Sequence, residues 1–166
     1  IATTLASVVM AVITVRLVYN FDKKFLESGK YAYLVGDGIA TALGSAIIGG
    51  YIKRIAGKGA GQFAASAMLL ISAGVSIVAL MKDVKANGID WKKQLPLALL
   101  TAIKAAAGGG LIAKGLSLSV VSGAAIGFTL TSAVSILAVL ASVRSDEGSW
   151  KERLGAGLIA AVNAAA

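Results

Sequence analysis

Apolar positions run along this chain in long stretches, at about residues 2–19, 31–52, 63–81, 94–113, 120–143 and from 150 onward, with short polar breaks between them. The complete stretches hold 18 to 24 residues, close to the roughly 20 that a helix needs to cross the hydrocarbon layer. An outer-membrane barrel would instead show strands of alternating hydrophobicity with aromatic girdles. Unbroken runs of Ala, Leu and Gly predict helices, which satisfy every backbone amide within their own segment. The fold class is therefore all-α and integral to a membrane.

The breaks alternate in character, which groups the helices in pairs. Within each pair the link is charged. Shifted by 59 positions, residues 72–107 fall on 131–166 without a gap, and 13 of 36 positions are identical. The matches include Val75/Val134, Ser76/Ser135, Trp91/Trp150, Lys92/Lys151 and Leu95/Leu154. Biased composition supplies alanine matches, but not a Trp-Lys pair in the same frame. A fainter copy at an offset of 60 sets Thr41-Ala42 under Thr101-Ala102, Gly49-Gly50 under Gly109-Gly110 and Tyr31 under Trp91. The reading is about three repeated transmembrane helical hairpins, five to six helices, in one membrane domain over 1–166. The units are about 1–60, 61–119 and a truncated 120–166. The chain reads as an internal fragment of a longer protein; no basic segment precedes the first apolar run, as a signal peptide would require.

Composition strengthens the membrane assignment. Of 166 residues 57% are hydrophobic and 14% charged, against about 25% charged in soluble domains. A chain this short leaves roughly a third of its surface uncovered, and too few charges are present to coat it for water. No cysteine or histidine occurs, which removes disulfides, thiolate metal sites and imidazole chemistry.

Charge sets an expected topology. The links within hairpins hold ten Lys and Arg residues, among them Lys23, Lys30, Lys82, Lys92 and Lys151, and seven of the eight acids, including Asp22, Asp83 and Asp90. The links between hairpins hold Lys53, Arg54, Lys58 and Lys114 and no acid. Ten against four places the hairpin links on the cytoplasmic side. Trp91 and Trp150, with Tyr31 in the matching place, sit beside lysines where each second helix begins, and are expected as interfacial anchors.

Small residues recur every four positions: Gly36, Ala40 and Gly44; Ala42, Ala46 and Gly50; Ala105 and Gly109. With Gly49 they are the expected helix-packing positions, since close backbone approach drives association in lipid. The segment Gly57-Lys58-Gly59-Ala60-Gly61 lacks the Gly-Lys-Ser/Thr ending of a phosphate loop and reads as a flexible turn.

Three charges interrupt apolar runs. Arg16 lies near a predicted helix end, within reach of the interface by snorkelling. Asp37 lies about one turn into its helix, at an interfacial depth. Lys104 lies about ten residues in, at a position matched by Gly44 and Asn163 in the other units. Charge at that depth is costly, so Lys104 faces a wet lumen, pairs with an acid, or sits shallower than its position suggests. Lys104, Asp37 and Asn163 are the pore-lining candidates. Serines and threonines are common, but no base accompanies them, so no catalytic constellation, cofactor or metal site is expected and the chain does not read as an enzyme.

The repeated apolar segments, separated by charged turns such as Lys82-Asp83-Val84-Lys85-Ala86-Asn87-Gly88-Ile89-Asp90-Trp91 and Arg144-Ser145-Asp146-Glu147-Gly148-Ser149-Trp150, resemble the hydrophobic region of tailed-phage tape measure proteins. The resemblance covers most of the chain and is strongest over 66–166. It implies a segment held in the virion tail lumen among tail proteins, released at infection, and inserted in the host inner membrane as a conduit for DNA ejection. The expected partners are the lipid bilayer, further copies of the chain in a homo-oligomer, and DNA in the lumen. A pore-forming toxin or bacteriocin domain and a small transporter or ion-translocating protein are the alternatives.

Overall fold

The computed structural model describes residues 1–88 and 90–115, which form four helices: α1 (Ala2–Ser28), α2 (Tyr31–Ala56), α3 (Lys58–Asn87) and α4 (Trp91–Gly115). The links between them hold one to three residues, which forces consecutive helices to pack side by side and antiparallel. Cross-helix contacts agree. Gly36 meets Phe21 and Gly44 meets Thr14, while Gly49 meets Ala65 and Gly108 meets Leu70. Between α1 and α2 one number rises as the other falls, as it does between α2 and α3, where Lys53 meets Gly61, and between α3 and α4, where Gln94 meets Asp83 and Lys104 meets Ser72. α1 also packs on α3, and α4 rests mainly on α3, so that α3 is the central helix of the four-helix bundle.

All four helices are long and apolar enough to cross a membrane. Five to six helices were expected for the whole chain; the described residues contain four, and the third unit, about 120–166, lies outside them.

The helices run further than the apolar stretches alone indicate. α1 continues through Ser28 and α3 through Asn87, so much of each charged link is helical. No glycine or proline lies between the end of either apolar stretch and Gly29 or Gly88. At Gly29 the backbone turns left-handed (φ 70°, ψ 10°) and its amide caps the Phe25 carbonyl, an ending that glycine adopts without a Cβ penalty. The Gly57–Gly61 stretch also differs from the expected flexible turn. Only Gly57 leaves the helix, and Lys58 to Gly61 form the first turn of α3. Gly61 must be small there, because a Cβ would come within 2.7 Å of the Gly49 carbonyl oxygen.

The bundle carries many of its large apolar side chains outside. Leu5, Val8, Val9, Val12, Ile13 and Leu17 stand exposed along α1, as do Val35, Ile39 and Leu43 on α2 and Leu95, Leu99 and Ile103 on α4. In water this arrangement forgoes roughly 25 cal/mol for each Å² left uncovered; in lipid it carries no such penalty, since acyl chains are as apolar as leucine. The interior has three levels. At the end of the α1–α2 and α3–α4 links an apolar cluster joins Phe25, Leu26, Ala79, Leu80 and Leu97. Polar side chains fill the middle. At the far end glycines bring backbones together, Gly49 against Gly61 and Gly108 against the Ser66 carbonyl.

Candidate functional site

The middle level is built from helical spacing. Asp37 and Thr41 are four apart on α2, Ser72 and Ser76 four apart on α3, and residues at that spacing share a helix face. Asp22 from α1 and Lys104 from α4 complete the set. All six are buried. Lys104 is 4% exposed and Asp37 is fully enclosed.

Lys104 Nζ lies 2.9 and 3.1 Å from the two carboxylate oxygens of Asp37. It also reaches the hydroxyls of Ser72 (3.1 Å) and Ser76 (2.6 Å) and the Ser72 carbonyl (3.3 Å). Side chains on a helix lean toward its N-terminus. The Lys104 ammonium therefore extends toward the end where α4 begins, and meets Asp37 one to two turns nearer that end than its own Cα.

Donor and acceptor counts fix the direction of each bond. An ammonium only donates, so Ser72 and Ser76 accept from Lys104 and have one hydrogen each left to give. Thr41 donates to Asp37 Oδ1 (3.0 Å), so in its 2.6 Å contact with Ser72 the serine is the donor. The result is a closed circuit, Lys104 to Ser72 to Thr41 to Asp37, with the ion pair completing it. Ser76 heads a second branch and donates to Asp22 Oδ2 at 2.6 Å, with Asp37 Oδ2 at 3.3 Å. Asp22 Oδ1 is buried and has no partner among the described residues.

An ion pair with its remaining hydrogen bonds filled is the arrangement in which buried charge is tolerated. Of the alternatives for Lys104, the geometry is the pair with an acid. As pore-lining candidates, Lys104 and Asp37 face one another inside the described bundle rather than an open lumen. Asp37 lies six residues into α2 with its carboxylate enclosed, because Lys104, Ser76 and Thr41 surround it. Arg16 is corrected as well. With α1 reaching Ser28, it stands mid-helix rather than near an end, and it is exposed on the outer side. Asn163 lies outside the described residues.

The packing glycines divide. Gly36, Gly44 and Gly49 lie at helix contacts where a Cβ would collide with Phe21, Thr14 and Gly61 respectively. Ala105 is buried, and Ala40 and Gly109 are half-buried. Gly50 is exposed with nothing within 4 Å of a Cβ, as are Ala42 and Ala46 beside it. That ladder faces outward because α2 turns its Gly44–Ile48 side to its neighbours. Gly61 and Gly108 are contact glycines that the four-residue spacing did not single out.

Tyr31 and Trp91 are exposed at the starts of α2 and α4, at one end of the bundle, where Lys93 Nζ reaches the Glu27 carbonyl across the two links at 3.5 Å. Trp150 lies outside the described residues. Gln94 braces that end: it is buried, donates to Asp83 and to the Gly88 carbonyl at 2.9 Å each, and accepts from the Asp90 amide.

Asp22, Thr41, Ser72 and Ser76 were not expected as site residues. Asp22 read as a link charge, and the hydroxyls read as helix-bonding groups. A signal was present: Ser7, Thr14 and Asp22 recur at seven- and eight-residue intervals, near two helical turns, on one stripe of α1.

Comparison of the chain with protein-family models, with curated proteins and with solved structures finds no match.

Proposed function

We propose that the chain is a channel-forming transmembrane segment of a tape measure-like protein, which inserts in the host inner membrane as a conduit for DNA ejection. The observation that carries this reading is the partly inverted surface of the bundle: many large apolar side chains face outward while Asp22, Asp37, Lys104 and several hydroxyls are enclosed, over four helices of spanning length. Such a chain is built for lipid. The repeated hairpin is the unit of insertion.

The conduit forms between copies. The polar groups inside the four described helices bond one another, and Phe25, Leu80 and Leu97 fill the level beside them, so nucleic acid has no path through that bundle. A ring of copies supplies the width. The net charge of +8 suits contact with phosphates or with anionic headgroups.

The test is reconstitution of the chain in planar bilayers and in liposomes holding a nuclease. Stepwise conductance that rises with protein density, together with digestion of DNA added outside, is the expected result. Monomeric insertion without conductance overturns the proposal. Conductance that never admits DNA moves the reading to a pore-forming toxin domain.

A further inference from the structure

Asp22 stands apart from the circuit that satisfies its neighbours. The Asp37 carboxylate accepts from Lys104 at both oxygens and from Thr41. Asp22, fully enclosed, receives one bond from the neutral Ser76 hydroxyl, and its Oδ1 receives none among the described residues. The enclosed set holds two carboxylates and one ammonium, so one negative charge is left over in an interior where uncompensated charge is expensive. A structure that satisfies Asp37 with Lys104 and Thr41, and places Ser76 beside it as well, does not leave an equivalent carboxylate bare next to it without a counter-charge.

We infer that Asp22 is the binding site of one monovalent cation, a proton or Na⁺, held at the open carboxylate oxygen within the bundle. Either species brings the single positive charge that the set lacks, and either is held by carboxylate oxygen. The groups facing Asp22 are few. α2 contributes Asp37, α3 the Ser76 hydroxyl and no ionisable group at that level, and α4 contributes Lys104, whose ammonium is already committed. On α1 itself Lys23 points to a recess of about 250 Å³ between α1 and α3. That recess is lined by Tyr19, Lys23 and Leu26, which flank Asp22 along α1, and by Ala79, three residues beyond Ser76 on α3. It opens at the charged end of the bundle, with Glu27, Lys82 and Asp83 at its rim. The recess thus borders Asp22's neighbours on α1, while the Asp22 carboxylate lies behind them and does not line it. Binding would hold α1 against α2 and α3, because the unloaded carboxylate repels Asp37.

The inference does not depend on the conduit reading, and its test reads stability rather than conductance. The full chain in detergent micelles is melted across pH in K⁺ buffer, and across Na⁺ concentration at one pH, as wild type and as Asp22→Asn. A ligand bound by the folded state alone raises the midpoint by mass action, on the order of 5 to 10 °C at a hundredfold excess over its dissociation constant. The proton arm predicts a midpoint that rises as pH falls; the sodium arm predicts one that rises with Na⁺ and not with K⁺. In either arm Asp22→Asn, which keeps the shape and removes the charge, abolishes the response. Should that variant fail to fold, infrared spectra of the wild type decide. A protonated-carboxyl band lost on raising pH, or a carboxylate band shifted when Na⁺ replaces K⁺, supports the site. A wild-type midpoint and carboxyl spectrum that neither pH nor Na⁺ moves overturn it, as does a response that persists undiminished in Asp22→Asn.

Discussion

Lys104 of α4 and Asp37 of α2 meet at 2.9 Å in the middle of the bundle, although 67 residues separate them and the two helices touch little elsewhere. The contact is made across α3, whose Ser72 and Ser76 hydroxyls line the gap between them. One ion pair thus ties three helices together, and its removal should be felt by all of them.

Lys104→Met should lower stability by about 3–5 kcal/mol, the cost of leaving a buried charge without its partner. Adding Asp37→Asn should restore part of the loss, because the orphaned carboxylate disappears with it. Unfolding in mixed micelles of detergent and dodecyl sulfate, followed by helicity, measures both steps. Equal losses for the single and double variants would show that the pair is not coupled.

Gly44 and Gly50 provide a matched contrast on one helix. A Cβ at Gly44 collides with Thr14, whereas at Gly50 it meets nothing within 4 Å. Gly44→Ala should destabilise by about 1–3 kcal/mol through overpacking against α1. Gly50→Ala should be neutral, or stabilising by up to about 1 kcal/mol from helix propensity. The same unfolding assay compares them, and a larger loss at Gly50 would contradict the rotation of α2 described above.

Arg16 should behave unlike Lys104. It projects from the outer side of α1 and forms no ion pair among the described residues. Arg16→Leu in micelles should therefore change stability by no more than about 0.5 kcal/mol. A loss as large as that of Lys104→Met would reveal a buried partner for the guanidinium.

Trp91 should report the headgroup level. In a Trp150→Phe background it is the single tryptophan, and lipids brominated at graded depths should quench it most strongly when the bromine lies nearest the surface. Strongest quenching from bromines at the bilayer centre would place the α3–α4 link inside the hydrocarbon and remove its role as an anchor.

Several of these features were legible along the chain. Long apolar runs without strand-like alternation require helices, since only a segment that satisfies its own amides is stable in lipid. Gly36 and Gly44 were identifiable as contacts because small residues at four-residue spacing mark close approach, though the same spacing also marked Gly50, which faces outward. The cost of burying Lys104 was equally plain, along with the pair as one of its solutions.

Linear order establishes which helix a residue belongs to and roughly how deep it lies. It does not establish the direction in which that residue points about the helix axis, which long-range packing decides. Thr14 against Gly44 and Gly49 against Gly61 set the rotation of α2, and that rotation turns Asp37 inward and Gly50 outward. The choice of Asp37 as the partner of Lys104 followed from it, because no local pattern links positions 37 and 104. Asp22 moved from a supposed link to the interior for a related reason: α1 meets no breaker before Gly29, and its polar stripe continues one turn further into the bundle. The spacing of residues determined the helices and their small-residue seams; the tertiary packing determined which charges face each other, because a helix can turn about its axis without any change in sequence and only its neighbours hold it in place.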